Sequence, residues 1–369
     1  MKEKERKGIF RYWPLWAMIF TGIGLLGLIV ERISKTSVPF SDALNRSAGR
    51  VIRGVLATLT TWIPFSLEET LLLFSPVLLA FLVYLLLRLS KKGLSHVIRF
   101  VAGVLSCAAL AYGLFAIGYE PGYYGSTLDH KLGWQKEKVS AEDLYRTGIC
   151  LVEDAEATLD RITFAPDGAS VMPYTFYEMN RELNKAYRAT CEVCPFIQRL
   201  YANPKPVLLS VPMTYTHLSG VYTFFITGEA NVNTNYPDYI VATSAAHEMA
   251  HQRGIAREDE ANMMAFLVCM NSDDPYLRYC GCVDVLLSVC NSLASADSSL
   301  HGKLWSRIPA EIKKEYAAYS AFFDRYRENK AAEVTENVNN TYIEHHGQAE
   351  GTKSYGLVVD LVVAYYKEK

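Results

Sequence analysis

The sequence predicts an α+β protein: three N-terminal helices able to cross a membrane, then a mostly helical domain that carries a small β-sheet. Three observations predict it. Half of the 369 residues are hydrophobic, and the excess falls in three long apolar runs within the first third of the chain. One later stretch, around residues 205–235, is rich in β-branched and aromatic residues between turn signals. From Pro237 nearly to the end, the apolar residues recur at helical spacing.

The first apolar run, Trp13 to Val30, holds no charged residue over 18 positions. The second, Thr70 to Leu87, is equally free of charge, and the third covers Phe100 to Tyr119. Each is long enough for a hydrocarbon core of about 30 Å at about 1.5 Å per residue. A mean hydropathy of +0.05, high for a soluble enzyme, agrees with that reading. The basic start Lys2, Lys4, Arg6, Lys7 also suits a signal peptide, but the run is long and no A-x-A cleavage site follows, so it reads as an anchor. Residues 1–119 are therefore expected to form a membrane region with spans near 13–30, 70–87 and 100–119, and residues 120–369 a second domain.

Basic residues orient such spans, because cytoplasmic loops retain Lys and Arg. The N-terminal arm, with Arg11 added, and the connector bearing Arg88, Lys91, Lys92 and Arg99 are expected in the cytoplasm. Three spans then put the second domain outside. The connector from Glu31 to Glu69 runs against the pattern, since it holds five Lys or Arg and must be external. A net charge of −2, without a basic stripe interleaved with aromatics, excludes nucleic acid as the expected partner.

Seven of the eight cysteines lie beyond the third run: Cys150, Cys191, Cys194, Cys269, Cys280, Cys282 and Cys290. Cys191 and Cys194 form a C-x-x-C pair, but a four-cysteine zinc site with Cys280 and Cys282 matches ribbon and finger spacings poorly. Disulfides or buried thiols are expected instead.

Within the second domain, Glu120-Pro-Gly-Tyr-Tyr-Gly-Ser marks the boundary by its turn residues. Leu144, Ile149, Val152 and Ala155 space a helix from Ala141 to about Thr158, and another is expected from about Tyr174 to Thr190. Strands are expected at Lys205–Ser210 and Gly220–Thr227, with an irregular continuation from Gly228. Pro237 suits the first turn of the next helix and Gly254 its stop. A further helix starts near Arg257, and the apolar run Tyr355–Tyr366, too short to span, reads as a buried closing helix.

The helix between Pro237 and Gly254 carries His247-Glu248-Met249-Ala250-His251, the H-E-x-x-H pattern. Residues four apart share a helical face, so both imidazoles can hold one ion, with Glu248 beside it as general base. Zinc lowers the pKa of its bound water to about 7, within reach of a carboxylate that then returns the proton to a leaving amine. A catalytic zinc needs a third protein ligand. Glu258 is favoured because it shares a face with Asn262 and Ala261 leaves room between them; Glu260 is the alternative. Phe224–Asn233 is placed to pair with extended substrate, and Asn231 and Asn233 read equally as substrate-backbone contacts or turn residues. His217, Tyr215, His345, His346 and Tyr355 are candidate oxyanion stabilisers among which no spacing decides.

Glu258-Asp-Glu-Ala-Asn262 resembles the E-x-x-A-D or E-x-x-A-N element of gluzincin peptidases, although it follows His251 at a much shorter gap. That resemblance implies Glu258 as ligand and Asn262 as the group orienting a histidine. A histidine would occupy the position of Arg257 in metzincins, which argues against that class. Three N-terminal spans together with T-G-E-A-N-V-N, H-E-M-A-H-Q-R-G, E-D-E-A-N and Ser354-Tyr-Gly-Leu-Val-Val-Asp-Leu-Val-Val-Ala-Tyr-Tyr366 resemble a bacterial membrane family, domain of unknown function 3810. The resemblance covers nearly the whole chain and implies a zincin-like domain on a bacterial membrane, with no substrate assigned.

The expected function is thus zinc-dependent peptide-bond hydrolysis on the external face of a bacterial cytoplasmic membrane, the partners being a peptide or protein substrate and the bilayer. The alternative is a non-catalytic membrane sensor whose pocket captures peptide or cell-wall fragments. A transporter subunit fits poorly, because the spans carry no intramembrane charge.

Overall fold

The computed structural model describes residues 12–135, 137–224, 227–327, 329–348 and 358–369. The basic arm from Lys2 to Arg11, residues 225–226 of the expected strand, and Tyr355 lie outside the described residues. The N-terminal third holds α1 (Leu15–Ser34), α2 (Val38–Leu44), a π-helical turn (Asn45–Gly49), α3 (Arg50–Thr60), α4 (Leu67–Ser90) and α5 (Leu94–Gly118). Helices α6 (Pro121–Tyr124), α7 (Leu128–Leu132) and α8 (Ala141–Glu156) lead to a hairpin of β1 (Thr163–Phe164) and β2 (Ser170–Val171). Then come α9 (Phe176–Val193), β3 (Lys205–Pro206), α10 (Ser210–Thr214), β4 (Gly220–Thr223) and β5 (Glu229–Val232). The remainder is helical: α11 (Asp238–Gln252), α12 (Glu258–Met270), α13 (Pro275–Ala296), α14 (Ser298–Arg307), α15 (Ala310–Phe323), α16 (Lys330–His345) and α17 (Val358–Glu368).

Small residues bring α1 and α5 together. A Cβ on Gly24 would meet the Ala109 carbonyl oxygen at 2.7 Å, and one on Gly113 would meet the Ile23 carbonyl oxygen at 2.5 Å. Such backbone approach is how helices associate where lipid leaves no hydrophobic gain between them. Helix α4 touches α5, yet most of its apolar side chains are exposed, Leu72 by 69% and Leu79 by 63%. Among the described residues four helical runs are long and apolar enough to cross a membrane: α1, α4, the run from Leu94 to Tyr124, and α13. The fourth has another explanation, because Tyr279, Cys280, Cys282, Val283 and Leu286 are fully buried in the domain core.

That core lies among α8, α9, α11, α12, α13 and α17, with Leu151, Leu183, Tyr239, Met249, Met264 and Val362 at zero exposure. Capping boxes start α8 at Ser140/Asp143 and α9 at Thr175/Glu178, satisfying backbone N–H groups that the first turn leaves free. All eight cysteines are free thiols, and burial raises Cys194 to about 11, so the C-x-x-C pair behaves as core.

The three-stranded sheet has the order β3-β5-β4, β3 parallel and β4 antiparallel to β5, with Gly220 opposite Val232 and Thr223 opposite Glu229. The expected strand at Lys205–Ser210 stops at Pro206, because Glu69 accepts the N–H groups of Leu208 and Leu209 at 2.8 and 2.6 Å. The stretch expected to pair with substrate is also placed differently. Residues 229–232 form the central strand, and β4 is one of the two edges. The connector from Glu31 to Glu69 is largely helical, through α2, the π turn and α3, and its fully buried Arg53 anchors it to the elements that follow.

Candidate metal centre

Helix α11 delivers the H-E-x-x-H residues. Pro237 is its N-cap rather than its first helical residue, and Gly254 ends the turn beyond it at φ +96°. Ala242, Ala245, Ala246 and Ala250 are fully buried, so the helix lies close against its neighbours and its histidines are held in place. His247 donates its Nδ1–H to Asn262 Oδ1 at 2.7 Å, and His251 donates its own to the Ile255 carbonyl at 2.7 Å. Those bonds occupy both Nδ1 atoms and aim both Nε2 atoms away from the helix backbone. Both nitrogens face Glu258 Oε2, at 3.2 Å from His247 and 3.4 Å from His251. One ligand atom from each of the three residues lies within 4.8 Å of the others.

The charges suit a cation. Burial opposes ionisation of Glu258, but His251 and His247 beside it hold its carboxyl well below the usual carboxylate range. Burial likewise opposes charge on His251, and Glu258 nonetheless lifts that imidazole to about 9. Glu248 differs. It is 5% exposed, burial raises its carboxyl to about 7 against the pull of the two histidines, and its Oε2 has no partner among the described residues. A carboxyl tuned near neutrality with a free oxygen can both accept and give up a proton.

Glu248 and His247 line a cleft of about 550 Å³, with Gly220 from the edge strand on one wall and Asp284 from α13 on another. Gly220 lies against the carboxylate, since a Cβ there would stand 2.5 Å from Glu248 Oε1. Residues 46–363 match the family model described as "Protein of unknown function (DUF3810)". The chain belongs to that family. No curated protein and no solved structure matches it.

In this DUF3810 member the other residues singled out from the sequence are placed variously. Glu260 turns away from the histidines, its Oε1 accepting the Leu128 N–H at 2.9 Å with Arg257 Nη1 at 3.7 Å. Asn231 donates to Glu68 Oε2 at 2.7 Å, and Asn233 donates to the Leu218 carbonyl at 3.0 Å and Thr214 Oγ1 at 3.1 Å. Both asparagines are buried, and these bonds tie the sheet to α4 and to the loop before β4. His217 lines the cleft but donates Nε2–H to the Tyr326 carbonyl at 2.7 Å. Tyr215 is 43% exposed against Tyr326, His345 is exposed, and His346 is buried with Nδ1–H on the Tyr342 carbonyl.

Three residues of the site escape sequence reasoning. Tyr119, the last residue of the third apolar run, brings its Oη to 3.1 Å from His251 Nδ1. Gly220 carries no signal beyond opening a strand. Asp284 does carry one: it is the sole carboxylate in the interior of the apolar helix α13.

Proposed function

We propose that this chain is a membrane-anchored zinc metallopeptidase whose site faces outward from a bacterial cytoplasmic membrane. One observation carries the reading: two Nε2 atoms and the Glu258 carboxylate converge, while the Oε2 of Glu248, unpartnered among the described residues, is buried beside the same cleft. Two imidazoles and a carboxylate are a donor set of catalytic zinc, which keeps a further position open. A zinc ion held by His247, His251 and Glu258 would supply Lewis acidity, acidifying water and polarising a carbonyl.

The protein's own groups do the rest. Asn262 and the Ile255 carbonyl hold the two imidazoles in the tautomer that presents Nε2. Glu248, poised near neutrality, takes the proton of the attacking water and hands it to the leaving amine nitrogen. The edge strand β4 passes beside Glu248 at Gly220, so an extended peptide pairing with that edge has its carbonyls near the base. The zincin-like reading of the domain rests on the same features.

In this proposal α1, α4 and α5 are the three spans and α13 belongs to the domain. The exposed apolar surface of α4, unsuited to water, supports the membrane assignment.

The full-length protein in detergent tests the function, by metal analysis and by turnover of a broad peptide library. One zinc per chain with hydrolysis is expected, and Glu248→Gln is expected to keep the metal and lose about 10²–10⁴-fold in kcat. Hydrolysis undiminished in that variant removes Glu248 from the mechanism. Stoichiometric zinc without turnover of any peptide points instead to a binding protein.

A further inference from the structure

Behind the end of α11, away from the cleft, lies a second cavity of about 430 Å³. Five cationic side chains line it, Arg46, Arg50, Arg53, Lys131 and Arg253, against one carboxylate, Asp42. Two of the cations are interior. Arg53 and Arg253 are each 2% exposed, and neither has a carboxylate within ion-pair distance among the described residues. Among the described residues Arg53 donates to the carbonyls of Gly118 at 2.6 Å and Asn45 at 2.9 Å. Arg253 donates to the carbonyls of Met249 at 3.0 Å and Leu200 at 2.7 Å and to Asn184 Oδ1, with its guanidinium 4.0 Å from the Tyr187 ring centre. The Nε of each is buried without a partner among the described residues. Asp42 is already engaged by the N–H and hydroxyl of Ser126 at 3.1 and 2.5 Å, and its nearest cations, Arg46 and Lys131, are both at 3.9 Å.

A buried guanidinium balanced only by neutral oxygens is costly, because its desolvation is repaid neither by a counter-charge nor by a full set of acceptors. We infer that this cavity binds a phosphate group, held by Arg53 and Arg253 from within and by Arg46, Arg50 and Lys131 at the rim. Guanidinium forks match phosphate oxygens in pairs, and five cations exceed what one carboxylate ligand needs. Arg53 sits on the terminal carbonyl of α5, so the group is a phospholipid headgroup if that helix crosses the bilayer, or a soluble phosphate reaching the same chemistry. The site also accounts for the basic connector that runs against the orientation rule: Arg46, Arg50 and Arg53, three of its five cations, line this cavity. Among the described residues no metal-ligand candidate and no residue of the cleft lines this cavity, although Ile255, whose carbonyl holds the His251 imidazole, does.

The test uses the full-length protein in detergent. Its thermal midpoint is followed against inorganic phosphate, against sodium chloride of equal ionic strength, and against phosphatidylglycerol or phosphatidylcholine in mixed micelles. A midpoint raised by phosphate or phosphatidylglycerol, but not by chloride or phosphatidylcholine, is expected. Arg46→Gln with Arg50→Gln, both at the exposed rim, is expected to weaken the apparent affinity roughly tenfold. A response to inorganic phosphate identifies a soluble group, and one to phosphatidylglycerol alone a lipid. Should the rim pair fail to fold, Lys131→Gln serves in its place. No response beyond the chloride control, or unchanged affinity in the folded rim variant, overturns the inference.

Discussion

Glu258 and Glu260 open the same helix two residues apart, and their surroundings give them opposite roles. Glu258 lies between two Nε2 atoms, while Glu260 accepts a backbone N–H from Leu128 and neighbours Arg257. Glu258→Ala is therefore expected to abolish stoichiometric metal binding, and Glu260→Ala to leave it intact while lowering stability; metal analysis beside thermal unfolding separates the two. Gly220 tests the proposed base, Glu248, without touching a proposed metal donor. A methyl there would stand 2.5 Å from Glu248 Oε1, so Gly220→Ala must push the carboxylate aside. Metal content is expected to hold while kcat falls about tenfold or more, since misplacing a catalytic group by about 1 Å can cost a hundredfold. At this scale the sequence is informative where geometry is local: helical spacing puts His247 and His251 on one face, and Glu258 and Asn262 on one face of the next helix, with Asn262 as the group orienting a histidine implied by the gluzincin resemblance. It is silent on Tyr119 and Gly220, which reach the site from distant elements.

The elements show the same division between local and distant causes. Helices α8, α9 and α11 follow from apolar spacing and end signals that each segment carries within itself. The strands do not, because their limits are set by partners far along the chain. Glu69 takes the N–H groups that would extend β3, and Glu229 of β5 accepts the N–H groups of Leu67 and Glu68 at the start of α4. The end of α11 combines both kinds of cause. Gly254 adopts φ +96°, and a Cβ there would stand 2.4 Å from Arg53 Nη2. Gly254→Ala is expected to cost about 1–3 kcal/mol from the backbone conformation alone. It also disturbs the turn that places the Ile255 carbonyl on His251 Nδ1, so metal affinity is expected to fall with stability. Denaturant unfolding and competitive metal titration measure the two effects. A variant with wild-type values in both would mean that the turn does not support the imidazole.

Across the whole molecule, apolar runs divide the chain at Tyr119, but contacts cross that division at the site itself. Phe115 and Tyr119 share one buried cluster with Tyr123, Phe224 and Ala256, and Tyr119 stacks on Phe224 with ring centres 5.6 Å apart. Arg53 bonds the Gly118 carbonyl, and Asn45 donates to the Gly254 carbonyl at 3.0 Å. The N-terminal helices thus pack into the domain; through Tyr119 they supply one wall of the candidate metal site. Composition cannot show this, because a residue ending an apolar run looks the same whether it faces lipid or a histidine. Residues 120–369 expressed alone would expose Phe224 and Ala256 and lose Tyr119 from His251. Truncating a buried aromatic typically costs about 3–5 kcal/mol, and two leave together here, against a total domain stability of about 5–15 kcal/mol. The fragment is expected to aggregate or to unfold without a cooperative transition and to bind zinc weakly, whereas the full chain in detergent unfolds cooperatively and retains it. Size-exclusion chromatography with thermal unfolding and metal analysis of both proteins decides the matter. A monomeric fragment with a sharp transition and one tightly held zinc would show that the membrane helices serve only as an anchor.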